Sequence, residues 1–140
     1  MSEPFDITAR SVRIPVLVVG PRRSRQLWCA VDTGATQTLL PSIHLQGIGY
    51  DLSKPAGHTR IRTATGTARV PLMRVSAISA LGRVRTDLLV AAHDMPLGVE
   101  ADGLLGLDFF RGLVLTFDFA RGRVSLSLPR SWWQFWRASR

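Results

Sequence analysis

The sequence has a single cysteine, Cys29, in 140 residues. That excludes an internal disulfide framework and any zinc site built on several thiolates, and a lone thiol suits a reducing compartment. Asparagine is absent, so there is no glycosylation sequon. No apolar run approaches the roughly 18 residues needed to cross a bilayer; the longest, such as 14–20, are far shorter. The start, Met1-Ser2-Glu3-Pro4, lacks the charged and apolar regions of a signal peptide. A soluble cytoplasmic protein is the expectation. Lysine is nearly missing as well: only Lys54 stands beside seventeen arginines.

Basic residues outnumber acidic ones, giving a formal net charge of +8. Such an excess raises the possibility of nucleic-acid binding. The arginines, however, are spread along the chain, and the densest cluster, Pro21-Arg22-Arg23-Ser24-Arg25, is too short for a basic tail. Nucleic acid is therefore not the expected partner, and the charge suits acidic substrates or partners instead. With 46% apolar residues the chain is no disordered tail, and its length supports one domain with a real core.

The hydrophobic pattern has mostly period two. Val12, Ile14, Val16 and Val18 alternate along one strand, and 26–31 forms a second apolar strand. Residues 60–75 read as a hairpin about Thr65-Gly66, with arms that offer little to anchor them in a core. Residues 75–78 and 84–90 pair about Leu81-Gly82, and 113–119 pair with 124–128 about Ala120-Arg121-Gly122. Only 104–111 resembles a short helix, ended by Gly112. Many short strands separated by turn signals predict an all-β barrel or sandwich.

Asp32 carries the strongest chemical signal. It ends an apolar strand in Ala30-Val31-Asp32-Thr33-Gly34-Ala35, where a carboxylate is costly unless it is hydrogen-bonded or functional. Gly34 lets backbone approach the carboxylate and offers its N–H, and Thr33 offers a hydroxyl to brace the loop. The same tripeptide also reads as a plain β-turn. A second signal, Leu104-Leu105-Gly106, puts an apolar pair before a glycine that allows close passage of a strand beside the Asp32 loop. Alone it reads more readily as a Gly-containing helix start.

In this order, the two segments resemble the retropepsin-like aspartic proteases, single-domain relatives of pepsin. Val31-Asp32-Thr33-Gly34-Ala35 looks like the family's catalytic motif, and Leu104-Leu105-Gly106 its second signature. Ala64, Thr65 and Gly66 sit where the family has its flap tip, and Leu39-Leu40-Pro41 is similar to bacterial members. The flap lacks the large aromatic residue of pepsin-like enzymes. The resemblance implies a closed all-β acid-protease barrel with one short helix in its C-terminal half. It implies a homodimer in which the Asp32 carboxylates of two chains activate a water to hydrolyse a peptide or protein substrate, with no metal and no cofactor. Thr33 is implied to hydrogen-bond across the dimer beneath the site. Family members with Ser at the position of Ala35 have one more donor to the carboxylate. Ala35 lacks it, which implies a dyad that holds its shared proton to somewhat higher pH, and a pH–rate profile peaking below about pH 4 would argue against that.

The domain is expected over 12–128, with an N-terminal extension at 1–11 and a Trp/Arg-rich tail at 129–140. The tail's three tryptophans suit the dimer interface, with a membrane surface or a free end as weaker alternatives. Apolar lining for substrate is expected from Leu40, Ile61, Leu72 or Val99. His93-Asp94 reads as a loop, and Cys29 as a small core residue or else a redox-sensitive thiol. A non-catalytic peptide-binding or dimerisation module on the same fold is the alternative function, and a basic nucleic-acid-binding protein is a further one.

Overall fold

The computed structural model describes residues 1–131; the tail beyond Ser131, and with it the reading of its tryptophans, lies outside the described residues. The N-terminal segment contributes β1 (Ser2–Pro4). Next come β2 (Arg13–Val19) and β3 (Ser24–Val31), paired antiparallel from Arg13↔Ala30 to Val19↔Ser24. Ile14, Val16 and Val18 are fully buried, as period two requires, and β-branched side chains suit this pleated surface. The chain continues through β4 (Leu39–Leu40), helix α1 (Ser42–Gly47), β5 (Gly57–Thr63), β6 (Gly66–Ala80) and β7 (Arg83–Ala92). It ends with β8 (Gly103–Leu105), helix α2 (Leu107–Phe110), β9 (Val114–Asp118) and β10 (Arg123–Ser127).

Six strands close on themselves in the order β2-β3-β8-β4-β7-β6, and β6 returns to β2 through Leu17↔Ser79, Val18↔Ile78 and Val19↔Ala77. This is the closed all-β barrel expected of a retropepsin-like chain. Strand β6 makes the closure possible by its length of 15 residues. Its first half, Gly66 to Leu72, pairs with β5 outside the ring; from Leu72 onward it pairs with β7. The β6–β7 turn has positive φ at both Leu81 (51°) and Gly82 (75°), the backbone that a tight hairpin turn with right-handed strand twist demands. A separate three-stranded sheet, β1-β10-β9, sends Val124 and Leu126 into the same core.

The core holds Ile14, Val75, Ile78, Val90, Leu105 and Phe109, each completely buried. Each such side chain contributes about 1.5–3 kcal/mol relative to exposure. The arms of the 60–75 hairpin are better anchored than their sequence suggests, because Val70, Met73 and Val75 are buried.

Two elements differ from the expected pattern. Leu104 and Leu105 are strand, not helix, and only Leu107–Phe110 is helical. Their backbone is claimed by partners distant in sequence: Ala30↔Leu104 and Val31↔Leu105 in parallel, and Leu39↔Leu104 antiparallel. Tertiary pairing overrides local preference here. Helix α1 is a second short helix beside the expected one. It starts after Pro41 and turns Leu45 and Ile48 into the core. No helix among the described residues is long and apolar enough to cross a membrane.

Candidate active site

Strand β3 delivers Asp32 to the mouth of a cleft, and a short loop then carries the chain to β4. The Asp32 N–H donates to the Leu105 carbonyl (3.0 Å), tying the loop's start to β8. The Ala35 N–H donates back to the Asp32 carbonyl (3.2 Å), closing the turn. The Gly34 N–H donates to Asp32 Oδ1 at 2.9 Å. A Cβ on Gly34 would stand 3.2 Å from that oxygen, so glycine keeps the donor close without crowding the carboxylate.

Gly106 braces the loop from behind. A Cβ there would fall 2.6 Å from the Gln37 carbonyl carbon and 2.9 Å from the Ala35 oxygen. The two backbones are in direct contact, as the Leu104-Leu105-Gly106 signal suggested. Helix α2 then adds two donors to the loop: the Leu107 N–H to Ala35 O (2.8 Å) and the Asp108 N–H to Thr36 O (3.3 Å).

Thr38 and Asp108 complete the brace, and sequence reasoning singled out neither. Thr38 is the one polar side chain fully buried among the described residues. Its hydroxyl donates to Asp108 Oδ1 at 2.7 Å, and its N–H lies 3.0 Å from both carboxylate oxygens. The Gly106 N–H donates to the Thr38 hydroxyl (3.2 Å), and the Phe109 N–H donates to Asp108 Oδ1 (2.9 Å). Charge-assisted bonds of this kind are about twice as strong as neutral ones. The only local signal was an acid in the first turn of a helix, which favours its N-terminus.

The cleft measures about 1000 Å³. Asp32, Gly34 and Ala35 border it on one side, Ala64 and Thr65 at the tip of the β5–β6 hairpin on another, and the 93–97 segment on a third. Thr33 and Gly66 do not line it; Gly66 follows the tip with φ of 142°. Leu104 lines the cleft, whereas Leu105 is wholly buried beneath. The apolar lining includes Leu39, Ile61, Met95, Leu97 and Leu104. Of the expected lining residues only Ile61 is there: Leu40 is turned into the main core by the alternation of β4, and Leu72 and Val99 do not border the cleft. His93 and Asp94, read as a loop, follow β7 as irregular chain and do line the cleft. A smaller hollow of about 380 Å³, between the N-terminal segment and Trp28, contains no part of the Asp32 loop.

Cys29, three residues before Asp32, is fully buried. Burial, reinforced by the nearby negative charge of Asp102, pushes its thiol up to about 12. The thiolate is the reactive form, so Cys29 is a packing residue, not a redox-sensitive thiol. No cluster of three or more His, Cys, Asp or Glu side chains suited to a metal ion occurs among the described residues.

Residues 8–109, which include both the Asp32 loop and the Gly106 contact, match the family model described as aspartyl protease. No curated protein matches the chain by sequence. Among solved structures, a retropepsin-like aspartic protease from Rickettsia conorii superposes with a TM-score of 0.68. It is 18% identical, over 91% of this chain and 89% of that one, and shares the fold. The simian foamy virus (mac) protease gives a TM-score of 0.47 at 20% identity, over 70% of this chain and 90% of that one.

Proposed function

The chain belongs to the aspartyl protease family and has the retropepsin-like fold, and on that premise we propose that it is an endopeptidase whose active site is assembled from two copies of the chain. One observation carries the reading: a rigidly braced carboxylate, Asp32, stands at an open cleft with a backbone donor on one oxygen. The chemistry needs two such carboxylates about 3 Å apart, sharing one proton because both cannot ionise together. The sequence has one Asp-Thr-Gly loop. A second chain related by a two-fold axis supplies the other through a self-complementary interface.

In the proposed reaction the ionised Asp32 takes a proton from a water held between the pair. The water oxygen attacks the peptide carbonyl carbon, and the protonated Asp32 gives its proton to the carbonyl oxygen. The tetrahedral diol then collapses: the C–N bond breaks, the amine leaves with one proton from the dyad, a diol hydroxyl returns its proton to the dyad to restore the shared proton, and the new acid keeps the water oxygen. The dyad titrates as a unit. Thr33, exposed in the single chain, is assigned the bracing of the two loops against each other across the dimer. The hairpin tip, Ala64-Thr65 with Gly66 directly after it, is assigned closure over an extended peptide, where it excludes water and adds backbone hydrogen bonds.

The test is digestion of a peptide library at rising protein concentration. The rate per chain is expected to climb and then saturate as dimers form. A constant rate per chain across dissociation of the dimer would overturn the two-chain site and move the second carboxylate into the same chain, where Asp94 also borders the cleft.

Ala35→Ser probes the dyad itself. Ala35 borders the cleft three residues beyond Asp32, and the family resemblance implies that a serine hydroxyl there donates to the carboxylate. A donor to the carboxylate favours its charged form, so the dyad gives up its shared proton at lower pH. Both limbs of the bell-shaped pH–rate profile are expected to move toward acid by about 0.5–1 pH unit, the worth of one hydrogen bond. A profile that stays in place counts against this role for position 35.

A further inference from the structure

The hairpin over the cleft is basic and unbalanced. Residues 57–71 carry Arg60, Arg62, Arg69 and His58 and no acidic residue. On β5 the side chains alternate, with Thr59, Ile61 and Thr63 half-buried and Arg60 and Arg62 exposed. Arg60 stands directly opposite Arg69 on β6. Like charges facing each other across an antiparallel pair are destabilising. Neither they nor Arg62 have a hydrogen-bonded or ion-pair partner among the described residues, where the ion pair found is Arg121–Asp118. By contrast, Arg74 and Arg85 spend their guanidinium groups on backbone carbonyls. Arg60 and Arg62 also border the cleft. Repelling cations held at the rim of a peptide site have the chemistry of a recognition element for carboxylates.

We propose that this hairpin selects acidic substrates: peptides with Asp or Glu close to the scissile bond, whose carboxylates meet Arg60 and Arg62. The inference rests on the endopeptidase reading above and names its substrate class. In a two-chain site both hairpins contribute, so the preference is expected on either side of the cut. Asp94, on the 93–97 wall, repels acids from that wall and directs them toward the hairpin. An acidic peptide relieves the Arg60–Arg69 repulsion on binding, which a neutral peptide does not.

The experiment compares kcat/KM for matched peptides that share one cleavable core and carry Asp/Glu, Gln/Asn or Lys at the flanking positions. Wild type is expected to favour the acidic member over the neutral one by about two- to fivefold for each arginine engaged, the worth of one exposed ion pair. That ratio is expected to shrink as salt rises from 0.05 to 0.5 M (order-of-magnitude range) because exposed pairs are screened. Arg60→Gln with Arg62→Gln is expected to bring the ratio near one, and Arg60→Glu with Arg62→Glu to invert it toward the Lys peptide. Cleavage with no acidic preference, or a preference untouched by either double variant, would overturn the proposal and leave the endopeptidase reading standing. Absence of all Asp32-dependent cleavage would instead remove that reading. If the double variants weaken binding of a single-stranded oligonucleotide but leave the peptide ratio unchanged, the hairpin serves nucleic acid and the proposal falls.

Discussion

Asp32→Asn is expected to abolish peptide hydrolysis, lowering kcat/KM by about 10⁴-fold or more, while the chain stays folded and paired. Positioned acid–base groups contribute up to about that factor each, and the substitution changes both at once in a symmetric site. The amide has the shape of the carboxylate and can still accept the Gly34 N–H, held at 2.9 Å from Oδ1 in the native loop. It cannot ionise, so it neither takes a proton from water nor passes one to the carbonyl oxygen. The variant therefore separates chemistry from architecture. Mixing sharpens the measurement. If wild type and variant exchange partners freely at equal amounts, about half of the wild-type chains end in inactive mixed pairs. Activity of a fixed amount of wild type should then fall to about half. Cleavage that survives in Asp32→Asn or Asp32→Ala would overturn Asp32 as the catalytic carboxylate, whereas peptide binding without Asp32-dependent cleavage in wild type would favour a peptide-binding module on the same fold.

Gly106→Ala is expected to damage both stability and activity, although Gly106 does not line the cleft and the change adds one methyl group. The added Cβ would meet the Gln37 carbonyl carbon at 2.6 Å, its oxygen at 2.7 Å and the Ala35 oxygen at 2.9 Å. These are backbone atoms, with no flexible end to swing away. Relief requires the Asp32 loop and β8 to separate, which strains the Leu107–Ala35 and Gly106–Thr38 hydrogen bonds. Overpacking of this kind typically costs about 1–3 kcal/mol, and more where backbone must move. For a chain of this length a loss of about 3 kcal/mol lowers Tm by roughly 10 °C. A carboxylate displaced by about 1 Å can cost about 100-fold in rate. Thermal unfolding and kcat/KM should fall together. Full activity in a variant with unchanged Tm would show that the close approach of Gly106 is not needed to hold the loop.

The parts of this molecule that could be read from its sequence are those whose partners lie nearby in the chain. The β6–β7 and β9–β10 hairpins follow from period-two alternation around short turns, and Leu81-Gly82 turns where expected. The Asp32 loop was legible because an acid at the end of an apolar strand, followed by glycine, is physically unusual. Strand β8 departs from its local pattern because Leu104 and Leu105 look helical until Ala30, Val31 and Leu39 are placed beside them. Thr38 and Asp108 escaped for the same reason. Each is unremarkable locally, and only the fold brings Thr38 Oγ1 within 2.7 Å of the Asp108 carboxylate. Leu39 and Leu40 divide between cleft and core by a single step of alternation, which a two-residue strand is too short to announce.

Strand β6 also carries a mechanical consequence. Its second half pairs with β7 and, over Ala77–Ser79, with β2 as well, closing the barrel, while its first half has β5 alone outside the ring. The change falls at Leu72, which still pairs with Gly57 as it begins to pair with Ala91. One continuous strand thus spans two regimes of local stability. Amide protons beyond Leu72 on the barrel side should exchange with solvent only when the whole barrel opens. Those toward Gly66 should exchange through smaller openings that leave the barrel closed. The hairpin can therefore lift and settle from a fixed root, and its motion need not loosen the floor on which Asp32 stands.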